Sequence, residues 1–582
     1  QETLELIKQK HALEHSSNEI GYKQARKDSA KAVKKDWETW LAKIVDVDLE
    51  LRDKWLGIKH IRKTYELELY EKADRHKNLV DFDSQAEAAA DHLENCQWPP
   101  VKETENIPRT AASLQQAEVR KENRPYKHNW DTSPFTLIEL RAIIKKMKKC
   151  KACGPDDIPI EFFKWLDEDN LSTFLDIINC WWHTGEFPNE KLKAHTASIY
   201  KKGDPKNQEN YRPISLLSSC YKIYASLLQT RIASTIDRYL MKTQYGFRKS
   251  RSTVIPLACV RRLCERAESS NEEMHMVFLD WSKAFDKILH DQLFWALDIL
   301  AFPTQFISAI SSLYTDPQFA VKIQHNTSKW HKQHRGIRQG CPLSPYLFIC
   351  VMHVLFEEVY ADTNLVNHRL DGLDFNELAY ADDTALLTPT VRAMTKLLKS
   401  IEEKAARFGL FFNKSKCVSL PFNSNAQPKF ADGAVVPTDE KTKYLGGIIH
   451  KRHNITSEIQ SKIGSCFAVL NRLNFFWKKA NCPPKFKLNV YDAIIRSKLV
   501  YGLETIQLPQ SVLSKLDAFQ LKGIRKILNM KTIFITRANT NERVFDFDTH
   551  TSTTTTTRRR TTGIFTCTCH GSINMQYVGF NR

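Results

Sequence analysis

The chain has 582 residues, 42% of them hydrophobic with 12 Trp and 31 Phe, so it can bury real cores and is not wholly disordered. That length exceeds what one hydrophobic core covers, and several domains are expected. Lys+Arg number 85 against 67 Asp+Glu, a formal charge of +18, which favours a polyanionic partner such as nucleic acid.

The 14 cysteines show no paired small-domain spacing and lie mostly in apolar context, as at Cys180, Cys259 and Cys350. Such usage suits a reducing compartment, so the nucleus and cytoplasm are expected. Cys150-Lys-Ala-Cys153 is a lone CxxC with no second pair, which argues against zinc. No apolar run reaches the ~18–20 residues of a membrane span, so no membrane partner is expected. The longest candidate, "YLFICVMHVLF" at 346–356, is too short. The start at Gln1-Glu2, without Met or a signal-like apolar stretch, reads as a piece of something longer.

In chain order, residues 1–132 read as a basic helical extension ending in a linker. "GYKQARKDSAKAVKKDWETWLAKI" carries Lys23, Arg26, Lys27, Lys31, Lys34 and Lys35, then Trp37 and Trp40. A solvated basic face with aromatic anchors is the simplest reading. An RNA-contacting extension is the sharper one. Residues 98–132 are polar and punctuated by proline, which marks a linker. From 133 to 452 short strands alternate with helices. From 453 to 547 the pattern is helical and basic, and 548–582, with "THTSTTTTTRRRTTG", is low-complexity and builds no core.

The chemistry is concentrated in the central stretch. "LAYADDTALL" at 378–387 sets Asp382 and Asp383 side by side among apolar residues, a costly arrangement without a cation. Leu378-Ala379-Tyr380 and Thr384–Leu387 suit two strands joined by a tight turn, with the aspartates at its apex. Adjacent side chains in a strand point to opposite faces, but a turn lets both carboxylates approach one site. A third acid comes from "MVFLDWSKAFD" at 276–286, where a buried strand ends in Asp280 and a helix is expected from about Ser282. Three hard oxygen donors without His or Cys nearby in sequence point to Mg²⁺ or Mn²⁺. Two such ions clamp the attacking and leaving oxygens of phosphoryl transfer. In "RQGCPLSP", Ser344 can cap a helix with Pro345 at its first position. A helix start of that kind suits a phosphate.

"VFLDWSKAFD" (277–286) and "YADD" (380–383), in this order, resemble reverse transcriptases. "KACGPDDIPIEFFKWL" (151–166), "ASIYKKGDPKNQENYRPISLLSSCYKIYASLLQTRI" (197–232) and "QYGFRKSRST" (244–253) narrow the resemblance to non-LTR (LINE-type) retrotransposon polymerases. "RGIRQGCPLSPYLF" (335–348), "GLFFNKSKC" (409–417), "KYLGGIIH" (443–450) and 486–545 continue it in order, so it runs from about 134 to 547. The first block departs mildly, with Cys153 where the family often has Pro and Asp157 where Gly is common.

The resemblance implies an α+β right-hand polymerase: fingers and an α/β palm over 133–452, a helical thumb over 453–547. It implies RNA-directed DNA polymerase activity on an RNA template, a DNA primer or target and dNTPs, with two Mg²⁺ (or Mn²⁺) ions. Asp280, Asp382 and Asp383 match the metal-binding carboxylates, joined by the backbone carbonyl of Trp281. Phe285 falls where a bulky aromatic would clash with a 2′-OH. Gln339 is placed against the incoming nucleotide, with Gly340 allowing close backbone approach. Arg212 is the cation for the triphosphate, its guanidinium fork suiting phosphate oxygens, with Lys201 and Lys202 as possible helpers. Lys416 matches a proton donor to pyrophosphate, although Lys414 stands two residues away.

In the thumb candidate, Phe486, Val490 and Ile494 have helical spacing, flanked by Lys485, Lys487, Arg496 and Lys498. A second helix from Leu513 to Leu528 carries Lys522, Arg525 and Lys526. One apolar and one basic face fit packing inward and tracking a phosphate backbone outward; a merely solvated face is the alternative. Cys567-Thr-Cys569-His570 lacks zinc-knuckle spacing, and neither an endonuclease nor a zinc module is recognisable. An intron- or retron-type enzyme and a non-catalytic RNA-binding remnant are the competing readings.

Overall fold

The computed structural model describes residues 2–14, 19–44, 51–62, 72–105, 107–362, 365, 369–452 and 455–545. The threonine-rich tail and Cys567-Thr-Cys569-His570 lie outside the described residues. The chain divides into two compact units, one spanning 69–453 with 574–582, the other 1–68 with 454–573. Helices and sheets are mixed, as an α+β chain requires.

Among the described residues the larger unit contains nine principal strands. They are β1 (Ala194–Tyr200), β2 (Tyr211–Leu216), β3 (Met274–Leu279), β4 (Gln318–Ile323) and β5 (Glu377–Tyr380). Then follow β6 (Asp383–Thr388), β7 (Val418–Phe422), β8 (Lys441–Tyr444) and β9 (Gly447–His450). One sheet runs β7–β3–β6–β5 and is antiparallel throughout. A second contains β2–β1–β4, with β1 and β4 parallel, and β8–β9 form a separate hairpin.

Every residue of β3 is buried because the strand is covered on both faces. Val277 and Leu279 join a core with Leu347, Val351, Met394 and Leu398. Met276 and Phe278 point the other way, into a core with Leu257, Val260 and Leu263. Strand alternation thus feeds two cores from one apolar run. The stretch that approached membrane hydropathy is the helix Ser344–Tyr360, buried nearly all round inside the first core. Among the described residues no helix is long and apolar enough to cross a membrane.

Three local expectations are corrected. Ser344 is the first helical residue rather than the cap; Leu343 occupies the cap position without a side-chain bond, and Ser344 Oγ lies 3.3 Å from the Tyr314 hydroxyl. The helix expected from Ser282 breaks into Ala284–Lys287 and His290–Ile299. The linker expected over 98–132 is packed structure. Trp98, Tyr126 and Trp130 are buried, and the helix Ala111–Glu122 is capped by Thr110. Its neighbourhood is tied down by Arg109–Glu358 (2.7 Å), Lys121–Asp298 (2.7 Å) and Arg124 Nη1–Glu357 (2.8 Å). Polar composition imitates a linker, but here Arg109, Lys121 and Arg124 each meet an opposite charge far along the chain.

The smaller unit is helical. Ile58 from the N-terminal part shares a core with Ile459, Leu470, Trp477, Val490, Leu516 and Ile524, and Trp40 and Trp55 pack against it. The first 68 residues therefore supply part of this unit's core. Lys23, Arg26, Lys27, Lys31, Lys34 and Lys35 are exposed, while the side chain of Trp37 lies outside the described residues. The face predicted at Phe486, Val490 and Ile494 slips by one residue. A π-helical turn over Asp492–Arg496 inserts an extra position, so Ile495 and Leu499 are buried in place of Ile494.

Candidate active site

Of the two aspartates expected at the apex, Asp382 lies in the two-residue hairpin turn, whereas Asp383 is already the first residue of β6. Asp383 pairs with Tyr380, leaving Ala381 and Asp382 at the tip. Ala381 adopts a left-handed conformation (φ +58°), unfavourable for a residue with a Cβ, so something must hold it. Gln244 does: its Oε1 accepts from Ala381 N–H at 2.8 Å, and its Nε2 donates to the Ala381 carbonyl at 3.3 Å. The same Oε1 accepts from Gly246 N–H at 2.9 Å. A Cβ at Gly246 would lie 2.3 Å from Ala381 N, so only glycine fits against the turn. Backbone bonds Tyr245 N–H to Ala379 O (2.8 Å) and Ala379 N–H to Thr243 O (2.9 Å) lay this segment along β5.

Asp280 follows the last residue of β3. Because Leu279 pairs with Thr384, Asp280 and Asp383 are brought to neighbouring strand ends. Asp382 and Asp383 reach solvent, yet the surrounding protein displaces much of their hydration. Lost hydration, followed by the charges of Asp382 and Asp280, pushes Asp383 up to about 6. Asp382 is raised by the same loss of hydration and by Asp280; its own backbone N–H, Lys201 and Arg212 pull it back. Three carboxylates, Lys201 and Arg212 thus share one electrostatic neighbourhood.

Among the described residues no three His, Cys, Asp or Glu side chains are already drawn together as a metal cage. The donor chemistry nevertheless fits a hard cation, which would relieve the mutual repulsion that raises two of the three acids. Cys417, whose Sγ lies 3.5 Å from the Asp280 backbone nitrogen, is pushed by burial up to about 11 and remains a neutral thiol. Trp281 pairs with Phe412 across Ser282 N–H to Phe411 O and Asn413 N–H to Asp280 O. In such a pair the bridging residue's own carbonyl points away from its partner strand, so that of Trp281 stays outside this ladder.

The other predicted residues are placed as follows. Arg212 is exposed on β2. Phe285 is half-buried, stacked on Phe348 at 4.5 Å and 11° with Phe247 edge-on at 5.9 Å. Ser215 N–H donates to the Gln339 carbonyl at 2.7 Å, and Gly340 (φ +123°) rides so close to β2 that a Cβ would lie 2.4 Å from Ser215 O. Lys416 is exposed, whereas the Lys414 ammonium is held by Glu402 (2.7 Å) and Asp432 (2.9 Å). Lys414 is thus engaged in ion pairs of its own.

Lys485, Lys522, Arg525 and Lys526 belong to the smaller unit. Lys485 and Lys522 are exposed, the latter over the Phe467 ring at 4.7 Å. Arg525 donates to Asn539 O and Asn541 Oδ1, and Lys526 to Asn471 Oδ1. These two serve the fold of their own unit as well as its charge. Sequence reasoning missed Gln244 as the turn's support and the buried Asp286 beneath Gln339. The signal for the first was Gly246, two residues after a polar side chain.

Residues 199–449 match the family described as reverse transcriptase (RNA-dependent DNA polymerase). The chain is 26% identical over 417 residues to the RNA-directed DNA polymerase from mobile element jockey of Drosophila funebris, covering 69% of this chain and 45% of that protein. It is 27% identical over 399 residues to a 149 kDa protein of transposon TX1 from Xenopus laevis, covering 66% and 30%. A probable RNA-directed DNA polymerase from transposon BS of Drosophila melanogaster is 25% identical over 445 residues, covering 73% and 48%. The chain spans less than half the length of these relatives. An apo telomerase structure from Candida tropicalis is 13% identical with a TM-score of 0.32, covering 45% of this chain and 54% of that one, a likeness that carries no argument. The hairpin aspartates, Asp280 and the residues around them all fall inside the matched span, so residues 199–449 constitute a reverse transcriptase domain, and the chain is a relative of the polymerases of non-LTR mobile elements.

Proposed function

We propose that this chain is the RNA-directed DNA polymerase of a non-LTR retrotransposon, extending a DNA primer 3′-OH on an RNA template with dNTPs. The observation that carries it is the placement of Asp382 and Asp383 at the β5–β6 hairpin beside Asp280 at the end of the neighbouring β3, within the span matching reverse transcriptases. In this reading the β7–β3–β6–β5 sheet is the palm, the sheet with β1, β2 and β4 belongs to the fingers, and 453–547 is the thumb. The chain would work in the nucleus and cytoplasm, reducing compartments that suit its unpaired cysteines.

Asp280, Asp382, Asp383 and the Trp281 carbonyl would hold two Mg²⁺ ions, with Mn²⁺ as a substitute. When bound, such ions stabilise charge on the attacking and leaving oxygens of in-line phosphoryl transfer. Arg212 and Lys201 neutralise the triphosphate, since both already act on the charge of Asp382. Lys416 Nζ, exposed and outside the Lys414 ion-pair network, holds a proton for the departing pyrophosphate. Lys485 and Lys522 present positive charge to the phosphate backbone.

The full chain on poly(rA)/oligo(dT) with dTTP and Mg²⁺ should lengthen the primer. RNA binding without dTTP-dependent extension would favour a non-catalytic remnant and defeat the proposal.

Phe285 serves as the sugar gate. Its ring is packed in place by Phe348, stacked at 4.5 Å, and by Phe247 at 5.9 Å in a T-shaped arrangement. Phe285→Ala should reduce discrimination between dNTPs and rNTPs on the order of 10²-fold, while dNTP use falls far less. Competition assays with matched rNTP and dNTP pairs read this out, and unchanged discrimination would reduce the ring to packing.

A further inference from the structure

Asp286 is 3% exposed, one residue beyond the proposed gate, and takes no part in the scheme above. Its carboxylate accepts two bonds from the Gln339 side-chain amide, Nε2 to Oδ1 at 3.2 Å and to Oδ2 at 3.0 Å. It also accepts from Trp98 Nε1–H at 3.1 Å, across 188 residues of chain. Lys283 and Gln97 complete the surroundings, joined to each other at 3.0 Å. Two backbone bonds, Ile337 N–H to Phe285 O (2.8 Å) and Gly336 N–H to Ile288 O (2.7 Å), hold the two segments together. A Cβ on Gly336 would lie 2.6 Å from the Asp286 carbonyl oxygen, so no larger residue permits this approach.

A carboxylate only accepts, whereas an amide offers a donating nitrogen on one side and an accepting oxygen on the other. Asp286 therefore decides which way the Gln339 amide faces: nitrogen inward, carbonyl outward. Turning the amide over would set its oxygen against a buried carboxylate. Burial pushes Asp286 up to about 6, with the Trp98 bond, the Lys283 charge and the Gln339 bond pulling it back, so the acceptor-only form prevails at neutral pH. The Gln339 backbone is fixed independently on β2, the strand that carries Arg212. Both ends of the residue are thus anchored, and only its carbonyl Oε1 is left without a donor among the described residues.

We propose that Asp286 is a positioning residue that makes Gln339 present its side-chain carbonyl to a hydrogen-bond donor on the incoming nucleotide, with Trp98 tying the segment before residue 105 into the same site. The proposal rests on the polymerase reading given above. It also gives the packed N-terminal part of this unit a task that the reverse transcriptase match, which begins at residue 199, does not cover.

The test is a double-mutant cycle in the full chain at saturating primer–template, reading KM for the next correct dNTP separately from kcat. Asp286→Asn lets the amide turn over, because the new side chain can donate as well as accept. It should raise KM about tenfold, the scale of one charged hydrogen bond, with kcat much less affected. Gln339→Ala should raise KM similarly, and adding Asp286→Asn to it should change nothing further. An Asp286→Asn effect equally large in both backgrounds would make Asp286 a purely structural residue and overturn the assignment.

Gln339→Glu is the second variant, informative even if Asp286→Asn does not fold. Two facing carboxylates repel, so its KM should exceed that of Gln339→Ala, and an equal or lower KM counts against the proposal. Failure of the wild-type chain to extend at all would overturn the polymerase reading and this one with it. Additivity in an active enzyme overturns this one alone.

Discussion

Asp382→Asn is expected to lower primer extension on an RNA template by at least ~10³-fold, corresponding to about 4 kcal/mol of lost transition-state stabilisation. The substitution keeps size and hydrogen-bonding capacity but removes one of three charges in a neighbourhood built to collect a cation. The turn itself should survive, because it is held through the backbone of Ala381 by Gln244 rather than through the Asp382 side chain. Template binding should persist as well, since Lys485 and Lys522 lie in the other unit. Single-turnover extension and filter binding on the same preparation separate the two quantities. Extension within tenfold of the unaltered chain would remove Asp382 from the metal site.

The second large effect is on stability. Arg109→Ala should destabilise the larger unit by roughly 3–5 kcal/mol, the scale of a buried ion pair broken on one side. Arg109 and Glu358 are 6% and 2% exposed and 2.7 Å apart. The guanidinium also lies 3.3 Å from the centre of the Trp295 ring and donates to Gln292 Oε1 at 2.6 Å. Among the described residues Glu358 would keep only Arg407, at 3.9 Å, as a cationic neighbour. The paired change Arg109→Leu with Glu358→Leu should recover most of the loss, because it leaves no lone charge in the interior. Denaturant unfolding followed through the larger unit's tryptophans measures both variants. A loss below about 1 kcal/mol, the value of an exposed pair, would mean that residues 98–132 are only loosely attached.

Arg109 also shows where sequence reading stops. The stretch from 98 to 132 reads as a linker because its residues are polar and interrupted by proline, and those are local properties. Its partners, Glu357, Glu358 and Asp298, stand about two hundred residues away, and nothing in the segment announces them. The π-helical turn at Asp492–Arg496 is similar: helical spacing extrapolated from Phe486 selected Ile494, while packing inserted a residue and buried Ile495. The same applies at Ser344, where a residue suited to capping became the first helical position.

What the sequence determined by itself was the placement of Asp280 and Asp382, with Asp383 one position off the expected apex. An apolar run ending in Asp280 and an apolar hairpin tipped by Asp382 are patterns of adjacent residues, governed by strand periodicity and turn geometry. Those rules act within a few residues, so they can be read directly, and the β3–β6 register brings the two together. The tertiary structure alone decided how these parts are held. Gln244 reaches the Ala381 turn across 137 residues, Trp98 and Gln339 meet on Asp286 from opposite directions along the chain, and Ile58 packs with helices beyond residue 454. A side-chain amide, an indole or an isoleucine carries no mark of its distant partner. Its role is set by which polar groups and apolar faces are left to be satisfied once the strands and helices have packed.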